Sequence, residues 1–484
     1  MYGILNQIER IAYLSIGFFS AVFTLRLLTM FVIRCIEKSI NRKKQNKIDL
    51  AYVDESTLPF FSILIPARNE SDVIEKTLLS ISQLIYPKNK YEIVVIFDEK
   101  EKYECETTTK NKVLSFIRKN INNKEIPDIL CMEVPINYDG NLDGSRLNSV
   151  VPSTKGRALN YALSHIKQKN KYHICSFFDA ESHPEKNMLL KVGLKYIQYG
   201  ENSVIQGPLF QVRNFWNISY FSKIISLNQA FAHEYSLPVI LKFIPFLGGT
   251  NMHIPLKVMK SVSGFSSSNV TEDLDLAVRI QLKEKIRPKF IDSSSSEQTP
   301  PSFLGYFRQR QRWASGGCQV IENLHQKSKN EHDKEEIKRI NYLKYKLFLY
   351  SPVEWILYFS VSFYVFITYL GKLSLAVNTF MKIFTFPPIY IWDILLTTGH
   401  NLVHGSAILC GVFVISLYLK YSPHIENAWN YKNLFRLSLL FLYVVFIAPY
   451  LIWLYTLPFI VSFFLFTFGV KERNWVRTER TVES

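Results

Sequence analysis

Apolar runs long enough to cross a bilayer restrict what this chain can fold into more than any other feature. A spanning helix needs about 20 mostly apolar residues, and Ile11–Ile33 supplies such a run near the start. Arg26 interrupts the run and no small-residue cleavage site follows it, so it reads as a retained anchor rather than a signal peptide. Apolar character returns at Leu347–Leu370, at Ile389–Leu419 and over Leu437–Val470, the last long enough for two short spans turning near Pro449 or Pro458. Arg34, Lys38, Arg42, Lys43, Lys44 and Lys47 follow the first run, and the positive-inside rule places them in the cytoplasm. The middle of the chain stays on that side, because no comparable apolar run interrupts it. The loop Lys420–Arg436 and the tail Lys471–Arg480 are also basic, which fits roughly four later crossings.

The expected organisation is an anchor over 1–36, a basic linker over 37–56 and an α/β domain over 57–300. An amphipathic, interfacial helix with a charged linker follows over 301–346, then membrane helices over 347–470 and a cytosolic tail over 471–484. The protein is thus expected to be a multi-pass membrane protein with its large polar domain in the cytoplasm. Lys and Arg outnumber Asp and Glu by 57 to 41, a net charge of +16, which points to an anionic membrane face or a phosphate-bearing ligand. No DNA- or RNA-binding motif is present, so nucleic acid is not an expected partner. The six cysteines are scattered without a CxxC pair, and nothing asks for disulfides or zinc.

Within the polar middle, strands alternate with helices. Phe61–Ile65 is an apolar run ending at Pro66, after which Asn69 or Ser71 can cap an amphipathic helix. Tyr91–Phe97 is a second strand that stops at Asp98, a third lies near Ile129–Val134, and Ile174–Phe178 stops at Asp179. Lys155–Ile166 reads as helix. This alternation predicts a mostly parallel sheet, whose ligands sit beyond the carboxyl ends of the strands. Asp98 and Asp179 are each the first acid after an apolar strand, which places them at that edge.

Several short motifs could carry chemistry there. Asp179-Ala180-Glu181 sets two carboxylates one residue apart, and hard cations such as Mg²⁺ or Mn²⁺ take such oxygens together with substrate phosphates. By itself the same triplet is also an ordinary solvated turn. Thr271-Glu272-Asp273 opens a helical pattern, where acids suit the helix dipole and where Asp273 could equally act as a general base. In Gln309-Arg310-Gln311-Arg312-Trp313, Arg312 offers a forked donor for a diphosphate and Trp313 a flat face for a sugar ring. An amphipathic helix lying on lipid headgroups would use the same composition. Pro66–Glu70 and Lys155-Gly156-Arg157 suit phosphate or nucleotide contacts, and Gly248–Asn251 suits a tight loop. His233, His253 and His404 lack partners at metal-ligand spacing and read as structural.

Taken in order, these motifs resemble family 2 of the glycosyltransferases, the inverting group that includes cellulose, chitin and hyaluronan synthases. The resemblance covers about residues 57–325 with the flanking membrane segments, and Trp475–Arg480 resembles a C-terminal element of some members. It implies a GT-A-like fold in which Glu70 and Asp98 bind the nucleoside and Asp179 and Glu181 hold Mg²⁺ or Mn²⁺. Asp273, with Glu272 beside it in the catalytic motif, would be the base. Lys155, Gln309, Arg312 and Trp313 would border the diphosphate and the acceptor. Glu181 stands where many polymer synthases carry Asp, and Glu99-Lys100-Glu101 departs from the family's usual Asp-Gly-Ser continuation. The implied partners are a nucleotide-sugar donor, usually a UDP-sugar, a glycan or lipid acceptor, and membrane lipid. Extension of a polysaccharide is the favoured activity and a single transfer to a lipid the runner-up. A transporter with a cytosolic nucleotide-binding domain is a more distant alternative, because the spans lack the intramembrane acids and paired broken helices of that class.

Overall fold

The computed structural model describes residues 25, 28–36, 55–104, 108–240, 246–267, 269–360, 362–363, 366, 408–470 and 480–481. Most of the Ile11–Ile33 run, nearly all of the basic linker, the greater part of Ile389–Leu419, His404 and Trp475–Glu479 lie outside them. The polar middle forms an α/β domain around a seven-stranded sheet of order β3-β2-β1-β4-β8-β6-β9. Its strands are β1 (Phe60–Pro66), β2 (Tyr91–Asp98), β3 (Asp128–Val134), β4 (His173–Phe177), β6 (Ile205–Gln206), β8 (Met252–Pro255) and β9 (Lys289–Phe290). The first four run parallel, β8 runs antiparallel to both β4 and β6, and β9 pairs parallel with β6. A small second sheet joins β5 (His183–Pro184), β7 (Leu209–Gln211) and β10 (Ser295–Glu297) in the order β5-β10-β7.

Near-continuous apolar strands are what a sheet buried on both faces requires. Ile63 and Ile65 of β1 and Ile93 and Val95 of β2 pack on one face, against Ile74, Leu78 and Ile81 of the Ile74–Ser82 helix and Leu189 and Val192 of the Met188–Tyr199 helix. The alternate residues Leu64, Val94 and Ile96 meet Leu159 and Leu163 of Lys155–His165 and Leu276 and Ile280 of Glu272–Lys283 on the other. Burying one such side chain fully is worth about 1.5–3 kcal/mol, so the two-sided core fixes the register that carries Asp98 and Asp179 to the same edge. Neither Asn69 nor Ser71 caps the helix after β1. Val73 holds the cap position without a side-chain bond, and Asn69 instead turns the chain at φ +58° and donates to Glu104.

Two long helices follow, Phe303–Asn330 and Lys334–Phe348, with Asp333 capping the second inside the stretch that composition marks as a charged linker. They join the Glu272–Lys283 helix through Val278, Leu282, Val320, Leu324, Ile340 and Leu343. Gly316 permits this approach, because a Cβ there would lie 2.4 Å from Thr271 Cγ2. Another apolar cluster ties Phe210, Phe215, Leu227 and Phe231 to Phe413, Leu417, Tyr418, Leu440 and Val444 near the end of the chain.

Where the sequence leads one to expect two short spans in Leu437–Val470, the chain forms the helix Tyr431–Phe446 and then a helical run over Ala448–Thr467. Only Ala448–Thr467 is long and apolar enough to cross a bilayer among the described residues, with a mean hydropathy of 1.8. Tyr431–Phe446 is shorter than the roughly 20 residues a span needs, and the described part of the Ile389–Leu419 run is helical from Ile408.

Candidate active site

The carboxyl ends of β1, β2 and β4 open into a cleft of about 350 Å³. Glu70, Asp98, Lys155, Asp179, Glu181, Glu272, Asp273, Gln309, Arg312 and Trp313 all line it. The parallel strands account for the first group, since each ends at the same edge with its next polar residues projecting from it. The Phe303–Asn330 helix crosses that edge and delivers Gln309, Arg312 and Trp313.

Each acid at the sheet edge meets a cation. Asp98 accepts from Arg157 at 3.0 Å, and that buried guanidinium also donates to the Tyr138 and Pro135 carbonyls. Lys155 pairs with Asp179 and donates to the Gly249 carbonyl at 2.8 Å. Burial pulls its ammonium down, but Asp179, Glu272 and Asp273 outweigh burial and hold it above its usual value. Arg480 reaches back from the end of the chain to Glu70, at 3.3 Å, and to Glu181. The neighbouring Thr481 is bonded in both directions to Gln298.

Behind Asp179 lies a hydroxyl relay. Its amide faces Ser182 Oγ at 3.1 Å and Thr250 Oγ1 at 3.3 Å, and Ser182 donates to Glu297 at 2.8 Å. Burial and the nearby Asp179 push the Glu297 carboxyl up to about 7. Glu181 Oε2 is buried and has no hydrogen-bond partner among the described residues. Two cleft-facing carboxylates, one with an unmatched oxygen, fit a divalent ion that takes its remaining ligands from water and substrate phosphates.

Asp273 and Glu272 sit in the first turn of the Glu272–Lys283 helix, open to the cleft but surrounded by protein. Thr271 occupies the cap position, yet its side chain makes no cap bond. Burial raises the Asp273 carboxyl above its usual range and Lys155 draws it partway back. For Glu272, burial and the adjacent Asp273 push the carboxyl up to about 7. Opposite them stands Gly249 at φ +76°, where a Cβ would come within 2.7 Å of Asp273 Oδ2.

The far end of the cleft is aromatic. A π-helical turn over Ala232–Ile240, with Pro238 inside it, carries His233 and Glu234 to the wall, and a second over Leu349–Val353, with Pro352, carries Tyr350. Tyr455 stacks on Tyr306, and Phe459 of Ala448–Thr467 stacks on Trp355 at 5.1 Å. Arg310 lies 4.0 Å from the Trp313 ring and 5.3 Å from the Tyr306 ring. Sequence reasoning missed Glu234 and Glu297, treated His233 as structural, and gave Arg310 no role of its own within its motif. No local pattern marks Glu234 or Glu297, whereas an arginine flanked by Tyr306 and Trp313 at helical spacing is a usable signal.

The model of glycosyl transferase family group 2 matches residues 176–469, more than half of the chain. The chain belongs to this family. Among relatives of this group 2 chain, a beta-monoglucosyldiacylglycerol synthase from a Nostoc species is 25% identical over 301 residues, 62% of this chain and 57% of that protein. The probable glycosyltransferase YdaM of Bacillus subtilis is 25% identical over 267 residues, 54% of this chain and 56% of its own. The chain therefore spans little more than half the length of these curated relatives. A solved mannosyltransferase, PcManGT from Pyrobaculum calidifontis in complex with GDP-Man and Mn²⁺, aligns with a TM-score of 0.42 at 16% identity. That alignment covers 83% of this chain and 98% of the other.

Proposed function

We propose that this group 2 chain transfers a sugar, with inversion, from a nucleotide-diphosphate sugar to a hydroxyl of a membrane-held acceptor. One observation carries the reading: the ionised groups suited to a sugar diphosphate and a buried acid pair share one cleft, whose far wall is the apolar helix Ala448–Thr467. Glu70 and Asp98 face the nucleoside, and Lys155 and Arg312 balance the diphosphate. Asp179 and Glu181 would hold Mg²⁺ or Mn²⁺, which when bound supplies countercharge to the leaving diphosphate.

Asp273 takes the proton from the acceptor hydroxyl, and the freed oxygen attacks the anomeric carbon from the side opposite the diphosphate. As the new carbon–oxygen bond forms, the bond to the diphosphate breaks and its electron pair leaves on a phosphate oxygen, inverting the configuration. Glu272, its carboxyl pushed up to about 7, stands beside the base, and Trp313 presents a ring face to the sugar. Placement of the domain at the cytoplasmic face, with more than one membrane crossing, belongs to the same proposal. It is supported by the basic segments that flank the apolar runs.

A lipid hydroxyl is the acceptor we favour, because curated relatives include synthases named for a monoglucosyldiacylglycerol product. Polysaccharide extension is the second reading, supported by the Gln309-x-x-Arg312-Trp313 motif and its likeness to polymer synthases. The test is product analysis of the detergent-solubilised full chain with a panel of labelled nucleotide sugars, Mn²⁺ or Mg²⁺, and extracted lipid. A labelled lipid carrying one sugar is expected. A long polymer would select the second reading, and no transfer from any donor with lipid and polysaccharide primers supplied would sink both.

A further inference from the structure

The turn that carries Asp179 and Glu181 is held largely from outside itself. The Ala180 carbonyl accepts from Thr77 Oγ1 at 2.7 Å, and the Ser182 amide closes the turn onto the Asp179 carbonyl at 3.0 Å. The Asp179 amide is shared between Ser182 Oγ and Thr250 Oγ1, two hydroxyls 3.0 Å apart. Behind them stands Glu297 of β10, only 2% exposed, which accepts from Ser182 at 2.8 Å and has Thr250 as its other hydroxyl partner. The backbone of the same strand pairs Ser296 with His183, two residues past Glu181. One strand thus grips the turn by its main chain and by one carboxyl.

A hydroxyl has a single proton to give. This chain of bonds begins at a group that can only donate, the Asp179 amide, and ends at an oxygen, Glu297 Oε1, that accepts. Ser182 gives its proton to Glu297, and Thr250 can give its own to Glu297 or to Ser182. Both hydroxyls are thereby left with lone pairs facing the Asp179 amide. An apolar side chain at 297 would leave the Ser182 proton without its acceptor and free to turn against that amide. A carboxyl in this place is costly, because burial and the nearby Asp179 charge both work against it. That cost points to a task beyond filling space.

We propose that Glu297 is a positioning residue: through Ser182 and Thr250 it fixes the Asp179 backbone, so that Asp179 and Glu181 present their carboxylates together to a divalent ion. This rests on the metal-assisted transfer reading and deepens it. Glu297 also borders the cleft, so the rival reading is a direct part for its charge at the metal. The two differ in what they require of residue 297, an accepting oxygen in the first case and a negative charge in the second.

The experiment titrates Mn²⁺ into the full chain in detergent with saturating UDP or GDP and reads free Mn²⁺ by electron paramagnetic resonance, beside a thermal melt. Glu297→Leu should weaken Mn²⁺ binding by at least about tenfold, the loss usual when the group behind a metal ligand is removed. Glu297→Gln keeps an acceptor for Ser182 and can donate to Thr250, so its Mn²⁺ Kd should stay within about threefold of wild type. Ser182→Ala should act in the same direction as Glu297→Leu, and the two together should do less than the product of their separate effects. Glu297→Gln as damaging as Glu297→Leu would give the charge a direct part and overturn the inference. So would Glu297→Leu that binds Mn²⁺ like wild type while melting lower. Either result leaves metal-assisted transfer intact, whereas a wild-type chain that binds no Mn²⁺ with either nucleotide removes the metal from that reading as well. If Glu297→Leu does not fold, the other two variants decide, and wild-type Mn²⁺ affinity in Ser182→Ala overturns the inference.

Discussion

At its strand end the cleft is held by hydrogen bonds and ion pairs that run between elements far apart in sequence, such as Arg157 to Asp98 and Ser182 to Glu297. At its membrane end it is held by ring contacts, Tyr306 on Tyr455 and Trp355 on Phe459, and by two π-helical turns that each contain proline. The first kind of wall is directional and fixes a charge to within a fraction of an ångström, as proton and phosphate chemistry demands. The second is adaptable, because ring faces tolerate sliding, and π-helical turns recur where a helix gives up regularity at a functional site. One cleft therefore divides into a precise half for the reacting atoms and a permissive half for an acceptor.

The contrast breaks most sharply at the base. Asp273→Asn should lower transfer by at least about a hundredfold while donor Kd stays near wild type, as measured by calorimetry beside a rate assay. Loss of donor binding in equal measure would instead make Asp273 part of the donor pocket. The pH profile gives the next largest effect. Burial raises both acids of the pair, so on acidification Glu272, pushed up to about 7, takes its proton first, and Asp273 loses its charge at a higher pH than an ordinary aspartate would. An ordinary carboxylate would hold its activity down to about pH 4. Below the shifted pKa the rate should fall about tenfold per pH unit, and a rate that holds flat down to about pH 4, as an unshifted carboxylate would allow, would remove Asp273 as the base.

Gly249→Ala tests how close the precise half is packed. The new methyl would meet Asp273 Oδ2 on a backbone at φ +76°, so kcat should drop about tenfold or more with a loss of roughly 1 kcal/mol in stability. Activity close to wild type would show that the loop has room to move. At the permissive end, Tyr306→Phe removes the 2.8 Å bond to the Tyr455 carbonyl and keeps the ring contacts. A cost of about 1 kcal/mol, seen as a Tm a few degrees lower, is expected with kcat little changed. A large fall in kcat would mean that this wall is as exacting as the other.

The same division governs what the sequence discloses. Asp98 and Asp179 are legible because an apolar strand followed by an acid is a local pattern, and parallel topology then gathers such acids at one edge. Asp273 and Arg312 are legible because they stand in ordered motifs. Glu234 is not legible, since its place depends on a π-helical turn and on helices more than a hundred residues downstream packing against it. Glu297 is hidden for a similar reason: a short serine cluster precedes it, and pairing of β10 with both β5 and β7 makes the strand that faces Ser182. Arg157 looks like a phosphate contact by spacing, but the fold buries it beneath Asp98.

The contact from Arg480 to Glu70 and Glu181 has a consequence for biosynthesis. The sheet and its acids are made early, and N-terminal units of a growing chain fold before later ones emerge. Tyr455 and Phe459 are made much later, within the apolar helix Ala448–Thr467, and Arg480 later still. A chain made only as far as the sheet thus holds a folded but unfinished cleft, and the site is completed by residues synthesised long after the strands that frame it.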